Sequence, residues 1–406
     1  MEVTIDEALE LIYKHSPKKS TKYLPLEQAL GFILAEDIIA SHSLPPYDNS
    51  AMDGYAVKIS DASKCVQVKD TIFAGDNSDA TLKDGCAIKI MTGARIPQGC
   101  EAIVPREDTK ECDDGVILPE NISEGKHIRR AGEDIKIGST LLTKGQKLQA
   151  HQITLLASQG ISHIKVYKQI RVAIFASGSE LKMHFENVSD SYQLYNTNAP
   201  ALKARAEELG CKVDFIGTAK DSIEDLKEHL RSALDSDLII TSGGVSVGDA
   251  DHTKEVFESF GMDTYFDKVR IKPGKPTTFG VIGNTMVLNL PGNPLAASLN
   301  FELFGQSILL AMSGAEYKYL NVIDAKIAQE HTLKQGRTTL IPGYYDGSSF
   351  LAKKNVAPGM IRPLADANGY IIVGENCSAL NQGDIVKFLP IRFGFNSDEK
   401  MDLVSC

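Results

Sequence analysis

The sequence predicts an α/β fold combined with β-rich domains: a central, mostly parallel α/β domain, an inserted β domain and a C-terminal β barrel in one multidomain subunit. Three observations predict it. Residues 171 to 312 alternate strand-like and helix-like apolar patterns, as a parallel sheet covered by helices requires. Residues 45 to 137 are short β-like runs broken by Gly, Pro and Asp, and residues 319 to 393 are strand-rich, with turns at Gly343, Gly347, Gly359, Gly369 and Gly383. The boundaries these patterns set are 1–44 with 138–168 for an N-terminal helical layer, 45–137 for the inserted β domain, 169–318 for the α/β domain and 319–406 for the barrel.

In chain order, residues 4 to 15 and 25 to 37 read as helices, with Ile5, Leu9 and Ile12 on one face and Leu26, Leu30 and Ile33 on another. Tyr55 to Ile59, Ala87 to Met91, Ala102 to Pro105 and Val116 to Leu118 are the β-like runs of the insertion, and residues 147 to 167 return to a helical and then an extended pattern. In the α/β region, Arg171 to Ala176 is a strand and Pro200 to Leu209 a helix ended by Gly210. Val213 to Ile216 is a second strand, and Ser222-Ile-Glu-Asp225 opens a helix whose apolar stripe is Ile223, Leu226, Leu230 and Leu234. A strand at Leu238, a helix near Lys254 to Phe260, a β segment at Tyr265 to Ile271, strands near Thr278 and Met286 to Leu290, and a helix from Leu295 to about Met312 complete it.

Composition excludes several classes. The 406 residues are 43% hydrophobic and 24% charged, which marks a globular chain with several cores, not a disordered one. The net charge of −10 gives no overall attraction to nucleic acid or an anionic membrane, so an anionic substrate must meet a local cationic cluster. Seven scattered cysteines include no Cys-x-x-Cys pair and are odd in number, arguing for reduced thiols and against a disulfide framework or a zinc site. The acidic N-terminus lacks a signal pattern, and no apolar stretch is read as long enough to span a bilayer, so a cytoplasmic protein is expected.

The chemistry-bearing segment is Asp237-Leu-Ile-Ile-Thr-Ser-Gly-Gly-Val-Ser-Val-Gly-Asp-Ala-Asp251. Leu238 to Ile240 are apolar without alternation, as in a central parallel strand. Ser242, Gly243, Gly244, Ser246 and Gly248 then form a loop whose free amides, with the start of the helix near Thr253, face an anion. Asp249 and Asp251 are hard oxygen ligands suited to Mg²⁺ beside a phosphate. The same residues also make a plain strand-to-helix turn with solvated acids. Two further strand exits carry Ser177-Gly-Ser-Glu180 and Pro291-Gly-Asn-Pro294, where ligands of such sheets bind. Lys268, Arg270, Lys272 and Lys275 form the clearest cationic cluster, in and before a Lys-Pro-Gly-Lys-Pro turn, though lysines in such turns are usually solvated. In the insertion, Pro45-Pro-Tyr-Asp-Asn-Ser-Ala-Met-Asp53-Gly-Tyr-Ala is a rigid loop dense in hydrogen-bonding groups, with Asp53-Gly54 as a hairpin turn its plain reading. Met91-Thr92-Gly93-Ala94 is a strand exit, and Arg129-Arg130-Ala-Gly-Glu133-Asp134 pairs guanidiniums with carboxylates.

Occurring together and in this order, these motifs resemble the molybdopterin molybdenumtransferase family, the bacterial MoeA type, similar also to the gephyrin E domain. The resemblance spans essentially the whole chain. It implies an elongated homodimer of four-domain subunits that inserts molybdate into adenylylated molybdopterin, releasing AMP and forming molybdenum cofactor with Mg²⁺ assisting. It adds Asp53, Thr92, Asp134, Glu180, Asp221, Asp251, Lys268 and Lys272 as catalytic positions and Pro291 and Pro294 as substrate contacts. Lys275, Arg129 and Arg130 supply further charge, and Asp249 and Asp251 are expected to hold the magnesium. The site is completed by the partner subunit, with Asp53, Thr92 and Asp134 opposite the α/β residues, and an upstream molybdopterin adenylyltransferase is the expected partner. No nucleic acid or membrane is expected. The chain departs from the family at Asn196, where an Asp is usual, at the Ala357-to-Gly369 loop, where prolines replace hydroxyls, and at Tyr47, where Phe is usual. Two other functions compete: an adenylyltransferase or nucleotide pyrophosphate hydrolase of related fold, which would lack the motifs around Asp53, Thr92 and Asp134, and a non-catalytic scaffold, which would carry a long disordered linker.

Overall fold

Alternating side chains explain why the central strands read as unbroken apolar runs. In the structure, a computed structural model that describes residues 1–77, 79–244, 252–392, 394 and 404, the central sheet holds β1 (Arg171–Ser177), β2 (Lys212–Ala219), β3 (Leu238–Ser242), β4 (Asp263–Phe266), β5 (Thr278–Ile282) and β6 (Thr285–Leu290). Val172, Ile174, Leu238, Ile240, Met286 and Leu288 pack on one face, while Ala173, Phe175, Ile239 and Val287 pack on the other. Successive residues of a strand point to opposite faces, so a sheet covered on both sides needs apolar residues at every position.

The strand order is β2-β1-β3-β6-β5-β4, with β2, β1, β3 and β6 mutually parallel and β5 and β4 antiparallel at the edge. Helices α1 (Asn198–Glu208), α2 (Ile223–Ala233) and α3 (Thr253–Ser259) connect the strands. Ser222 caps α2 by accepting from the Asp225 amide. After β6 come α4 (Pro294–Asn300), a π-helical turn over Phe301–Gly305 and α5 (Gln306–Ser313). Pro294–Ser313 is long and apolar enough to cross a membrane, contrary to the reading that no stretch is, but 83% of its most apolar window is buried and it serves as a core helix.

The chain forms two compact units. The first contains Met1–Ala35, Lys144–Gln149 and His163–Cys406. The predicted N-terminal helix is Ile5–His15, closed by a capping box at Thr4 and Glu7. The helix expected over 25 to 37 is absent: a single 3₁₀ turn at Leu26–Gln28 is followed by β-bridges at Ile33 and Leu34. Gly31 sits at φ +83°, which ends a right-handed helix, and Leu30 is 65% exposed, so the apolar spacing there does not mark a buried helical face. The barrel closes from five strands, Thr338–Tyr345, Ser349–Ala352, Ile323–Ile327, Ile385–Pro390 and Gly369–Val373, the last pairing back onto the first. Ile271–Lys272 adds in parallel to its first strand.

The second unit contains Glu36–Thr143 and Ala150–Ser162. Its six-stranded sheet runs in the order Ala102–Pro105, Gly54–Val57, Cys86–Ile90, Cys65–Ile72, Gly115–Ile117, Lys110–Cys112. Ala56, Ile88 and Ile103 cover one face and Val57, Ala87, Ala102 and Val104 the other. The cysteines correct the sequence expectation in part. Cys65 and Cys112, 47 residues apart, are joined by a disulfide, because sheet pairing brings together what their sequence spacing does not suggest. Cys86, Cys100, Cys211 and Cys377 are free. Burial pushes the Cys100 thiol up to about 11 and the Cys211 thiol up to about 12, so neither is a thiolate near neutrality.

Candidate functional site

Three strand-end loops meet at the carboxyl edge of the parallel strands. Gly243 follows β3, and a Cβ there would lie 2.3 Å from the Ser177 carbonyl oxygen at the end of β1. A Cβ on Gly292, after β6, would lie 3.6 Å from Gly243 Cα. Gly243 and Gly244 have φ of +95° and +60°, a conformation that L side chains rarely adopt. Glycines at these positions therefore let three backbones pack side by side at the edge where ligands of parallel sheets bind. Ser246, Gly248, Asp249 and Asp251 lie outside the described residues.

Asp221 ties the first of these loops down. Its Oδ1 accepts from Ser177 Oγ at 3.1 Å and its Oδ2 from the Ser179 amide at 2.9 Å, while its own amide donates to Ser179 Oγ at 3.0 Å. Asp221 is thus committed to the shape of the loop. Glu180, next along, is exposed, and among the described residues no ion pair engages its carboxylate. Among the described residues it is a carboxylate at this edge left open to a ligand. In the third loop, Asn198 Nδ2 donates to the Gly292 carbonyl at 2.8 Å, and Pro291 and Pro294 flank that glycine. Asn196 is 2% exposed, donates to Thr218 Oγ1 at 3.0 Å and accepts from the Ala199 amide at 3.1 Å. The amide found where the family has Asp is satisfied inside the fold, holding the start of α1.

The cationic cluster divides. Lys272 lines a cleft of about 190 Å³ with Leu295, Pro358 and Lys353. Because Leu295 directly follows the Pro291–Pro294 loop, Lys272 belongs to the neighbourhood of the strand ends. Lys268 pairs through its backbone with Glu2, and Lys275 Nζ lies 2.9 Å from Glu2 Oε1. The loop after the barrel strand Ser349–Ala352 also reaches this edge: the Leu295 amide donates to Pro358 O at 3.0 Å, and a Cβ on Gly359 would lie 3.6 Å from Asn293 Oδ1. Pro358 and Gly359 lie outside the expected site residues because their loop lacks the hydroxyls the family shows; the Pro-Gly pair itself is the signal the sequence carries there.

In the second unit, Asp53 and Thr92 meet although 39 residues separate them. The Thr92 amide and Oγ1 both donate to Asp53 Oδ1, each at 2.7 Å. These bonds, the backbone one foremost, hold the Asp53 carboxyl below its usual range. Asp53-Gly54 is not a hairpin turn. Gly54 begins a central strand, and a Cβ there would strike Val104 O at 2.1 Å. Met91 to Ala94 is a turn closed by the Ala94 amide on Met91 O at 3.0 Å, with Gly93 at φ +83°. Arg130 is engaged by Asp48 at 2.6 Å, and the Ala131 amide with that guanidinium holds the Asp48 carboxyl low. Arg129 and Asp134 are exposed.

Residues 3–160 match the model of the MoeA N-terminal region (domain I and II), residues 173–311 that of a probable molybdopterin binding domain and residues 324–391 that of the MoeA C-terminal region (domain IV). The chain is 38% identical over 317 residues to the molybdopterin molybdenumtransferase of Haemophilus influenzae, covering 77% of this chain and 78% of that one. It is 31% identical over 406 residues to that of Staphylococcus epidermidis, covering 95% and 94%. The molybdopterin biosynthesis MoeA protein from Pyrococcus horikosii superposes with a TM-score of 0.84 at 29% identity, over 97% of this chain and 100% of that one. With the fold, the strand-end loops and these matches in agreement, the chain belongs to the molybdopterin molybdenumtransferase family, of the MoeA type.

Proposed function

We propose that this chain inserts molybdate into adenylylated molybdopterin, releasing AMP and giving molybdenum cofactor. What supports the reading is the convergence of Gly243, Gly292 and the Ser177 backbone at the carboxyl edge of four parallel strands, the edge at which sheets of this kind bind their ligands. Both reactants are anions, so the residues that bring them together must supply positive charge and oriented donors. Lys272 and Lys268 offer that charge in the first unit, where Lys275 is already paired with Glu2, and Arg129 offers it in the second. Asp53, fixed by Thr92, presents an ionised carboxylate.

A water oxygen attacks the adenylyl phosphorus as the phosphoanhydride P–O bond breaks, so that AMP leaves as a phosphate monoester and the pterin keeps its own phosphate. The two dithiolene thiols replace two oxygens of molybdate, which leave as water with the thiol protons and two further protons from solvent. Those sulfurs belong to the substrate, so no protein thiolate is needed, in keeping with the high values of the Cys100 and Cys211 thiols. Glu180, an exposed oxygen donor at the strand ends, would hold magnesium, with Asp249 and Asp251 as the further carboxylates expected from the sequence. When bound, the ion neutralises charge on the phosphoanhydride oxygens. A homodimer with its site shared between subunits, supplied by a molybdopterin adenylyltransferase, completes the proposal.

The test is product formation. The protein is incubated with adenylylated molybdopterin, Mg²⁺ and molybdate, and the mixture is used to activate a cofactor-free molybdoenzyme. Activation that requires this protein supports the transferase; activation no greater than that of the protein-free mixture refutes it.

A further inference from the structure

Asn49 is 7% exposed, and its Oδ1 is enclosed without a hydrogen-bond partner. Folded proteins keep few such groups, because a buried amide oxygen that gives up water without gaining a donor is costly. The two ends of the amide exchange by rotation about the last side-chain torsion, so the group offers a donor or an acceptor to whatever reaches it.

Its neighbours are arginines on both sides. In the strand Asn49–Ser50, Asn49 is the Cα partner of Arg129 on one side and of Arg95 on the other. The Ser50 amide donates to Ala94 O and the Ile96 amide to Asp48 O, both at 3.0 Å, flanking the Asn49–Arg95 pair. That pair is therefore of the non-hydrogen-bonded kind, in which opposed side chains stand closest. Opposed residues share a face and successive ones alternate, so Arg95, Asn49 and Arg129 rise on one face while Asp48 and Arg130 pair with each other on the opposite one. Arg95 and Arg129 are exposed, and among the described residues neither is ion-paired. Tyr47, in the bend before this strand, lies under the Arg95 guanidinium at 6.0 Å. Arg95 also leaves the turn that carries Thr92, and the Gly93 amide of that turn donates to Ser50 O at 2.8 Å.

We propose that Arg95, Asn49 and Arg129 form a grip for a tetrahedral oxyanion of the substrates. The two guanidiniums donate from either side, and the Asn49 amide forms the floor. The proposal rests on the transferase reading and deepens it by assigning to this face an oxyanion, either the pterin's phosphate or molybdate itself. Arg95 and Asn49 act by binding and take no part in bond breaking.

The test is calorimetric titration of the full-length protein, without nucleotide, using inorganic phosphate and sodium molybdate separately. The variants are Arg95→Ala, Arg95→Lys and Asn49→Leu. The expected result is weaker binding of at least one anion by about 10-fold or more in Arg95→Ala, as loss of a charge-assisted contact implies. Partial recovery is expected in Arg95→Lys, which keeps the charge but not the planar fork. Asn49→Leu should weaken the same anion while its thermal midpoint does not fall, because the amide it removes has no internal partner. Loss of phosphate binding alone assigns the substrate phosphate, and loss of molybdate binding alone assigns the metal oxyanion. Unchanged affinity for both anions in Arg95→Ala, or failure of the wild-type protein to bind either, overturns the grip whatever turnover shows. Anion binding that depends on Arg95 in a protein that forms no cofactor keeps the grip and removes the transferase reading.

Discussion

Asp53 shows how much of a site is fixed by one residue and its neighbour. Two donors from Thr92 converge on a single carboxylate oxygen, so Asp53 stays ionised to a lower pH than a free aspartate. With the folded value depressed, the stability this group contributes is present above its unfolded pKa and disappears as pH falls through the folded one. Asp53→Asn should lower molybdate-dependent turnover by about 100-fold or more, the size of effect seen when a preorganised electrostatic group is removed, with the thermal midpoint nearly unchanged because the side chain is exposed. Near-normal turnover in that variant removes Asp53 from the site. Thr92→Val keeps the amide bond and loses the hydroxyl bond. Its acid limb in a pH–rate profile should therefore move to higher pH, and an unmoved limb contradicts the account of the shift. The pairing of Asp53 with Thr92 was legible in sequence only as two motifs. The antiparallel pairing of Gly54–Val57 with Cys86–Ile90 is what places them together, and no local pattern encodes that partner choice.

Elements were legible where periodicity and caps agreed. The strand at Leu238, the helix opened by Ser222 and the helix of residues 5 to 15 formed as read, because burial on both faces, an N-cap and an apolar stripe each point one way. The segment from 25 to 37 misled, since Leu26, Leu30 and Ile33 have helical spacing while Gly31 takes a left-handed conformation. Asp53-Gly54 misled in the opposite sense: a turn-forming pair is used where a strand must approach Val104. Gly54→Ala should therefore cost about 2 kcal/mol or more, read as a fall in the denaturation midpoint, because the clash is with backbone that cannot rotate away. A stability within about 0.5 kcal/mol of wild type contradicts this close approach.

At the scale of the whole molecule, the ties across long sequence separations are the least visible in advance. Arg205 on α1 donates to Glu302 Oε1 at 2.8 Å and Oε2 at 3.1 Å, within the π-helical turn, and to the Ile391 carbonyl at 2.9 Å after the last barrel strand. Burial raises the Glu302 carboxyl despite this partner. Arg205→Ala should cost about 3 kcal/mol in chemical denaturation, the usual consequence of stranding a buried charge, and a loss below about 1 kcal/mol contradicts it. The motifs announced the family because they sit in chain order. What they did not announce is that Asp221 is spent on shaping its own loop and that the Cys65–Cys112 bridge links the two strands flanking Gly115–Ile117. The most direct measurement is the dependence of nucleotide release on the metal oxyanion, followed in a mixture of this protein, adenylylated molybdopterin and Mg²⁺. AMP that appears with molybdate and stays at background without it is the predicted result, and AMP released at the same rate whether or not molybdate is present would contradict it.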